Sequence, residues 1–381
     1  MFDYQDYQVY FAKCGYGLEE ILARELMSLG AEDTQQNYFG VRFKAGADAL
    51  YRINYKSRLA SHILAPLINF DCHSDNYLYT TAMDIQWENI IRPGMTFAIQ
   101  SHVTDSRITH SQYAALKLKD AIVDRLRTVH GDRPNVDRKN PDVWLDLNIR
   151  ENKAIISLDT SKGALHRRGY RRQSVEAPLQ ETLASAILTL GEWDMKKPLV
   201  DPMCGSGTFL SEALLMAQNA PSPAERFQGR SPFKFMPDWD EDVWEDVRND
   251  TDSQMKQVPH RLITGSDINR KAVSAATTNL GWLSGSQSVR IKVADFRDLD
   301  GFKDSFIVVN PPFGDRLGER RDALKLYNEF GSFLKHKCQG STALVLCGHP
   351  ELRHALGLRP KRKKIVRNGG IECQLVMLEM Y

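Results

Sequence analysis

Asn310, Pro311, Pro312 and Phe313, with Gly314 behind them, follow directly on the apolar run Phe306-Ile307-Val308-Val309. The two prolines remove two backbone donors and stiffen the turn. The side-chain oxygen of Asn310 and the carbonyl of Pro311 can then face one pocket as acceptors, beside the flat ring of Phe313. An exocyclic amine on a planar base requires that arrangement. Hydrogen bonds to both its N–H groups draw the lone pair out of conjugation, and the lone pair can attack a methyl group. No strong base is needed, because the proton can leave after transfer, and most of the catalysis is positioning. Any one such turn can be purely structural; three further motifs argue against that here.

The stretch LVDPMCGSGTFL (199–210) reads as a strand ending in Asp201, then a glycine turn (Gly205, Gly207) that opens a helix. Glycines let a backbone approach a ligand closely, and ligands of open α/β sheets bind at the carboxyl ends of strands. The third glycine of a dinucleotide fingerprint is missing, and no Gly-Lys-Ser/Thr follows, which excludes a P-loop. A carboxylate beside the turn suits a zwitterionic, cationic ligand better than a pyrophosphate. Asp267 closes the strand LITGSD, where its two oxygens can accept from two ribose hydroxyls. Asp295, in Ala294-Asp295-Phe296, could accept from an adenine amino group. Taken singly, each acid is as compatible with a helix N-cap as with a ligand contact.

These motifs need strands to carry them. From about residue 175, short apolar runs (RLITGSDIN, VRIKVADF, SFIVVNPPFG, TALVLCG, CQLVMLEMY) alternate with helical segments, the signature of a doubly wound α/β sheet. About forty residues, Ala220 to Arg261, interrupt it with an irregular stretch and an acidic surface helix. Upstream, YQVYFAK and FGVRFKAG read as strands and GLEEILARELMSLG as a helix. ALYRINYKSRLASHILAPL reads as a second helix ending near Pro66, giving a ferredoxin-like half. Residues 70–165 add the strand TFAIQSHVT, a long amphipathic helix through Ala115, Leu118, Ile122 and Leu126, and the hairpin VWLDLNIRENKAIISLDTS, whose turn carries no strong two-residue signal.

The 381 residues suit two or three domains, and a net charge of +2 says little about partners. Its distribution says more: basic runs at 162–172 (with Tyr170) and 359–367 flank an acidic stretch at 238–252. Six scattered cysteines without CxxC pairs fit neither a disulfide framework nor zinc, and no metal is expected. The N-terminus does not read as a signal peptide, and no run approaches the length of a membrane span; a cytoplasmic protein is expected.

The order DPMCGSGTF, SDIN, AD, NPPFG resembles the class I S-adenosylmethionine-dependent amino-methyltransferases. FAKCGYGLEEILARELMSLGA, KLKDAIVDRLR, RPNVDR and DTSKGALHRRGYR resemble their THUMP-containing branch, and the whole chain resembles the bacterial large-subunit ribosomal RNA guanine-N2 methyltransferases. That resemblance implies an α/β fold: a ferredoxin-like domain (1–66), an RNA-binding THUMP domain (67–165) and a Rossmann-like methyltransferase domain (166–381). It implies S-adenosylmethionine as cofactor and RNA, large-subunit ribosomal RNA or an assembling ribosomal particle, as partner. Asp201, Cys204, Gly205, Gly207 and Thr208 would hold the methionine end, Asp267 the ribose and Asp295 the adenine. Asn310, at the junction of cofactor and substrate, would hold the target base with Pro311, Pro312 and Phe313. Phe313 stands where tyrosine is commoner, and stacking survives the change. Arg167, Arg168, Arg171 and Arg172 could neutralise phosphates, and Tyr170 could stack on a base or serve the domain junction. The alternatives are adenine-N6 methylation of DNA or RNA and a non-catalytic RNA-binding assembly factor. Pyrimidine-C5 methylation is disfavoured, since no cysteine flanks Asn310-Pro311-Pro312-Phe313 to act as a nucleophile.

Overall fold

The computed structural model describes residues 1–174, 178–222, 233–314 and 319–381. Its strands form two sheets. The first holds β1 (Val9–Lys13), β2 (Glu32–Asn37), β3 (Gly40–Lys44), β4 (His62–Asp71), β5 (Thr96–Thr104), β6 (Asn135–Val136), β7 (Val143–Arg150) and β8 (Lys153–Asp159), in the spatial order β2-β3-β1-β4-β8-β7-β5-β6. Helices α1 (Asp3–Tyr7), α2 (Glu19–Ser28), α3 (Ala47–Lys56), α4 (Asp75–Met83) and α5 (Ser111–His130) belong to this half. The β7–β8 hairpin pairs Leu145 with Leu158, Leu147 with Ile156 and Ile149 with Ala154. Its turn residues, Glu151 and Asn152, both have positive φ, 51° and 61°, as the twist of a two-residue hairpin demands.

The second sheet holds β9 (Leu199–Asp201), β10 (Ile263–Asp267), β11 (Arg290–Val293), β12 (Phe306–Val309), β13 (Thr342–Cys347), β14 (Arg362–Asn368) and β15 (Ile371–Glu379), in the order β11-β10-β9-β12-β13-β15-β14. With it come α6 (Glu181–Leu190), α7 (Thr208–Ala217), α8 (Glu241–Ser253), α9 (Arg270–Leu280), α10 (Glu319–Lys337) and α11 (Pro350–Ala355). The first five strands of that order are parallel, and β15 runs antiparallel to both β13 and β14. All four residues of β12 are buried, as a central parallel strand covered on both faces must be. Strand order reverses between β9 and β12, so a crevice opens at their carboxyl ends.

Two expectations change. The helix expected to end near Pro66 stops at Lys56, and residues 62–71 are the ten-residue strand β4. The Glu25 carboxylate ends the helix by accepting from the Ser57 hydroxyl (2.6 Å), the Arg58 amide (2.9 Å) and the Leu59 amide (3.2 Å). Pro66 is tolerated because the ladder shifts register between Pro66 and Ile68. β4 pairs with both β1 and β8, so a division at 66/67 falls inside one strand and the first two units share a sheet.

The acidic helix is also more than a surface feature. α8 buries Trp244, Val247 and Thr251 and lies on α3. The Tyr51 ring centroid stands 4.5 Å from that of Phe233 and 5.4 Å from that of Trp239, and Tyr55 stands 5.3 Å from Trp244. Tyr4 and Tyr55 donate to Asp238 (2.6 Å) and Asp252 (2.9 Å). The interrupting segment thus fastens the first half of the chain to the second. Trp244→Ala should cost about 3–5 kcal/mol, the usual loss for deleting a core tryptophan, read as a lower urea midpoint; an unchanged midpoint would remove this fastening role.

Candidate active site

Asp201 and Asp267 end adjacent parallel strands, and Asn310 follows β12 on the other side of β9. Around them opens a cavity of about 720 Å³. Of the residues expected there, Asp201, Cys204, Gly205, Thr208, Asp267 and Asp295 line it, together with Asn310, Pro311, Pro312 and Phe313. Gly207 is the exception. It caps α7 with φ 81°, and a Cβ there would stand 3.0 Å from the Ala276 Cβ; its role is close packing of α7 against α9, away from the cavity wall.

The glycine turn is held from several sides. Gly205 donates its amide to Asp267 Oδ2 (2.9 Å), and Cys204 donates to the Ser266 carbonyl (2.9 Å). Asp267 Oδ1 accepts from the Asn269 amide (2.8 Å). A carboxylate offers about four lone-pair sites, so acceptor capacity remains for a ligand. Asp201 is about 1% exposed, and among the described residues its Oδ1 accepts only the Met203 amide (3.2 Å). Burial, reinforced by Asp267, holds its carboxyl well above the usual carboxylate range. Of the two roles the sequence left open for Asp295, the structure shows the cap. Asp295 caps the short turn 296–298 through the Arg297 amide (3.0 Å) and pairs with the Arg297 guanidinium (2.7 Å), which also grips Glu329. Any adenine contact at Asp295 is therefore shared with Arg297, a cavity residue that sequence reading did not single out.

Asn310 Oδ1 is buried and has no hydrogen-bond partner among the described residues. A buried acceptor left unpaired costs free energy, so it is a place for a donor to arrive. Phe313 lies against Gly348, where a Cβ would come within 2.4 Å of the Phe313 ring; only glycine at the end of β13 lets the ring settle there. All six cysteines are free and buried, and burial pushes the Cys204 thiol, the one beside the cavity, far up. It is no thiolate nucleophile at neutral pH.

The basic linker corrects the sequence reading. Arg168 is about 2% exposed; it donates to the carbonyls of Leu165 (2.9 Å) and Arg58 (2.6 Å) and pairs with buried Glu212. Tyr170 is buried and donates to Glu212 (2.9 Å). Arg171 donates to Glu181 (2.8 Å), Ser206 Oγ (3.1 Å), Thr208 Oγ1 (2.9 Å) and the Leu179 carbonyl (2.9 Å). Arg168 and Tyr170 are committed to Glu212 and Arg171 to the glycine turn, rather than to phosphates or a base, and a basic run alone gives no signal that separates the two roles. Only Arg167 and Arg172 of that run are exposed, the latter stacked on Trp282. Among the described residues no group of three His, Cys, Asp or Glu side chains gathers as a metal site, and no helix is long and apolar enough to cross a membrane.

A doubly wound sheet with a reversed last hairpin, a glycine turn after a strand-end acid, and an unpaired acceptor at the switch point define a class I methyltransferase. Comparison with known families extends this to the whole chain: residues 9–64 match the RlmL ferredoxin-like domain, 72–159 the THUMP domain, and 168–377 the RMKL-like methyltransferase domain. The chain belongs to the RMKL-like methyltransferase family. A candidate RNA methyltransferase of Synechocystis sp. is 36% identical over 374 residues, covering 98% of this chain and 97% of that protein. The ribosomal RNA large subunit methyltransferase K/L of Syntrophotalea carbinolica is 36% identical over 385 residues, and the match covers 97% of this chain and 53% of that one. The chain thus spans the first relative almost fully and about half of the second. A candidate methyltransferase solved with S-adenosylhomocysteine superposes with a TM-score of 0.85 at 26% identity, covering 98% of both chains. The methyl donor is S-adenosylmethionine, and the buried, under-bonded Asp201 and the glycine turn fit a cationic ligand of that kind.

Asp201 also makes a prediction about the free protein. Its carboxyl is raised on folding, so folding favours the protonated form; stability is full at acid pH and falls as pH rises through the raised value. Asp201→Asn should remove that part of the fall while weakening S-adenosylmethionine binding. Thermal melts across pH, with calorimetric titration of the cofactor, test both; identical pH dependence in the two proteins would contradict the burial argument.

Proposed function

We propose that this chain methylates the exocyclic amino group of a base in RNA, with N2 of a guanine in large-subunit ribosomal RNA as the target. One observation carries the chemistry: the buried, unpartnered Oδ1 of Asn310, at a cavity wall that Phe313 also lines. Bound S-adenosylmethionine supplies an electrophilic methyl group. Asn310 Oδ1 and the Pro311 carbonyl accept the two N–H groups of the target amine and hold its lone pair toward the methyl. Phe313 stacks on the base and fixes its plane. Asp267 holds the ribose and Asp295, with Arg297, the adenine edge. The proton leaves after transfer, so positioning is the main contribution of the protein. The well-protonated Cys204 supports amine methylation over attack through a thiolate at a pyrimidine carbon.

RNA as substrate follows from the matched THUMP domain and from the relatives named for RNA. Guanine N2, rather than adenine N6, rests on the resemblance to the large-subunit enzymes, and a cytoplasmic site of action goes with it. A target in a paired region must first be flipped into the cavity.

The deciding experiment incubates the protein with methyl-labelled S-adenosylmethionine and unmodified large-subunit ribosomal RNA, then identifies the labelled nucleoside by mass spectrometry. Label is expected in N2-methylguanosine, with kcat about 10²–10³-fold lower in Asn310→Ala, the usual loss when one preorganised polar contact is removed. Label in N6-methyladenosine would keep the mechanism and overturn the base. Methylation of duplex DNA alone would overturn RNA.

A further inference from the structure

Five side chains outside the cavity form a continuous row across all three matched regions. Arg367 lies in β14, and its neighbour Asn368 lines the cavity. The Arg367 guanidinium stands 5.4 Å from the ring of Tyr16, in the loop after β1. Tyr16 stands 5.8 Å from Phe39, and Phe39 is 4.3 Å from Tyr38 in the β2–β3 turn. The Arg150 guanidinium, at the end of β7, stands 5.3 Å from the Tyr38 ring. The row is held open to solvent: Tyr38 is 64% and Tyr16 40% exposed, and both arginines are exposed. Arg367 has no carboxylate partner among the described residues; Arg150 pairs only with its exposed neighbour Glu151. Contacts that merely joined the domains would bury these rings, as the Tyr51, Tyr55 and Trp244 cluster does.

We infer that this row is a stacking track for an unpaired stretch of the RNA next to the target nucleotide, an inference that rests on the RNA reading above. Aromatic faces accept any base, and guanidinium groups beside them neutralise the phosphates between. Because the row begins beside a cavity-lining residue, a strand lying on it leads its end to Asn310. The track also accounts for cations that the buried linker cannot supply, since Arg168 and Arg171 are spent inside the protein.

Fluorescence anisotropy with a labelled single-stranded RNA oligonucleotide, free or annealed to its complement, tests this on the full chain. Tyr16→Ala and Tyr38→Ala should each weaken single-strand binding about ten-fold and leave duplex binding nearly unchanged. Tyr→Phe at either position should retain affinity. Arg367→Ala should lower the slope of log affinity against log salt by about 0.7. Melting temperature and S-adenosylmethionine affinity should not move in any of them. Single-strand affinity unchanged in both alanine variants would overturn the track and leave the surface to another partner. So would a fall in melting temperature that parallels the fall in binding, since the rings would then be structural. If the wild type neither binds nor labels RNA, the functional reading falls first and the track with it; an active wild type with indifferent variants sinks the track alone.

Discussion

Glu212 is a carboxylate with no access to water, and the rest of the molecule is arranged to tolerate it. Burying an unpaired charge costs several kcal/mol or more. Here Tyr170 and Ser185 donate to its two oxygens at 2.9 and 2.5 Å, and the equally buried Arg168 pairs with it. Arg168 in turn donates to the Arg58 carbonyl, and the Arg58 guanidinium donates to the carbonyls of Leu215 and Ala220 at the end of α7. The network joins the first sheet, the linker, α6 and α7. Such a network tolerates almost no rearrangement, because losing one member strands another as a buried charge. It therefore fixes where the linker runs, and the next residue, Arg171, comes to rest on Ser206 and Thr208. Asn279 adds a second tie, donating to the Ser206 and Gln173 carbonyls while accepting the Arg172 and Gln173 amides.

That rigidity matters because the cavity itself is costly. Asp201 and Asp267 end neighbouring strands, and among the described residues the buried one gains only a single backbone donor. Asn310 keeps an acceptor unpaired. Each feature is unfavourable without a ligand and favourable with a cationic cofactor or an amine donor. Sites built this way trade stability for binding, and the packing around them must hold the polar groups in place against relaxation. The close approach of Phe313 to Gly348 supplies that packing beside the cavity, and that of Gly207 to Ala276 packs α7 against α9 behind it.

The sequence was most legible where chemistry is local. A strand-end acid, a glycine turn and Asn-Pro-Pro-Phe announce themselves because ligands of a doubly wound sheet meet the residues directly after its strands. Nearly all of those residues do line one cavity. Legibility failed where the deciding partner lies far along the chain. Arg168 and Arg171 look like any solvated basic run; only Glu212 and Glu181, held in place by the fold, make them internal. The end of α3 is set by Glu25 on α2, about thirty residues earlier, so helical spacing alone ran on through Ser57. The acidic α8 shows a polar face to the reader, but its Trp244 finds aromatic partners on α3, Tyr51 and Tyr55, that no local pattern reveals.

The division of labour follows from these constraints. On the proposed function, Asn310, Pro311 and Phe313 would recognise an amino group on a flat base, which every guanine and adenine offers. An amino group alone would not mark one nucleotide among thousands. Choice would then come from surface that contacts an RNA elsewhere, and such contacts would count only if their distance from Asn310 is fixed. The eight-stranded sheet is fixed in two ways, by the Glu212 network through the linker and by α8 clamped on α3. The elements that gave the least functional signal in sequence, a buried linker and an acidic insertion, are thus the ones that would convert a general amine methylation into a reaction at one site.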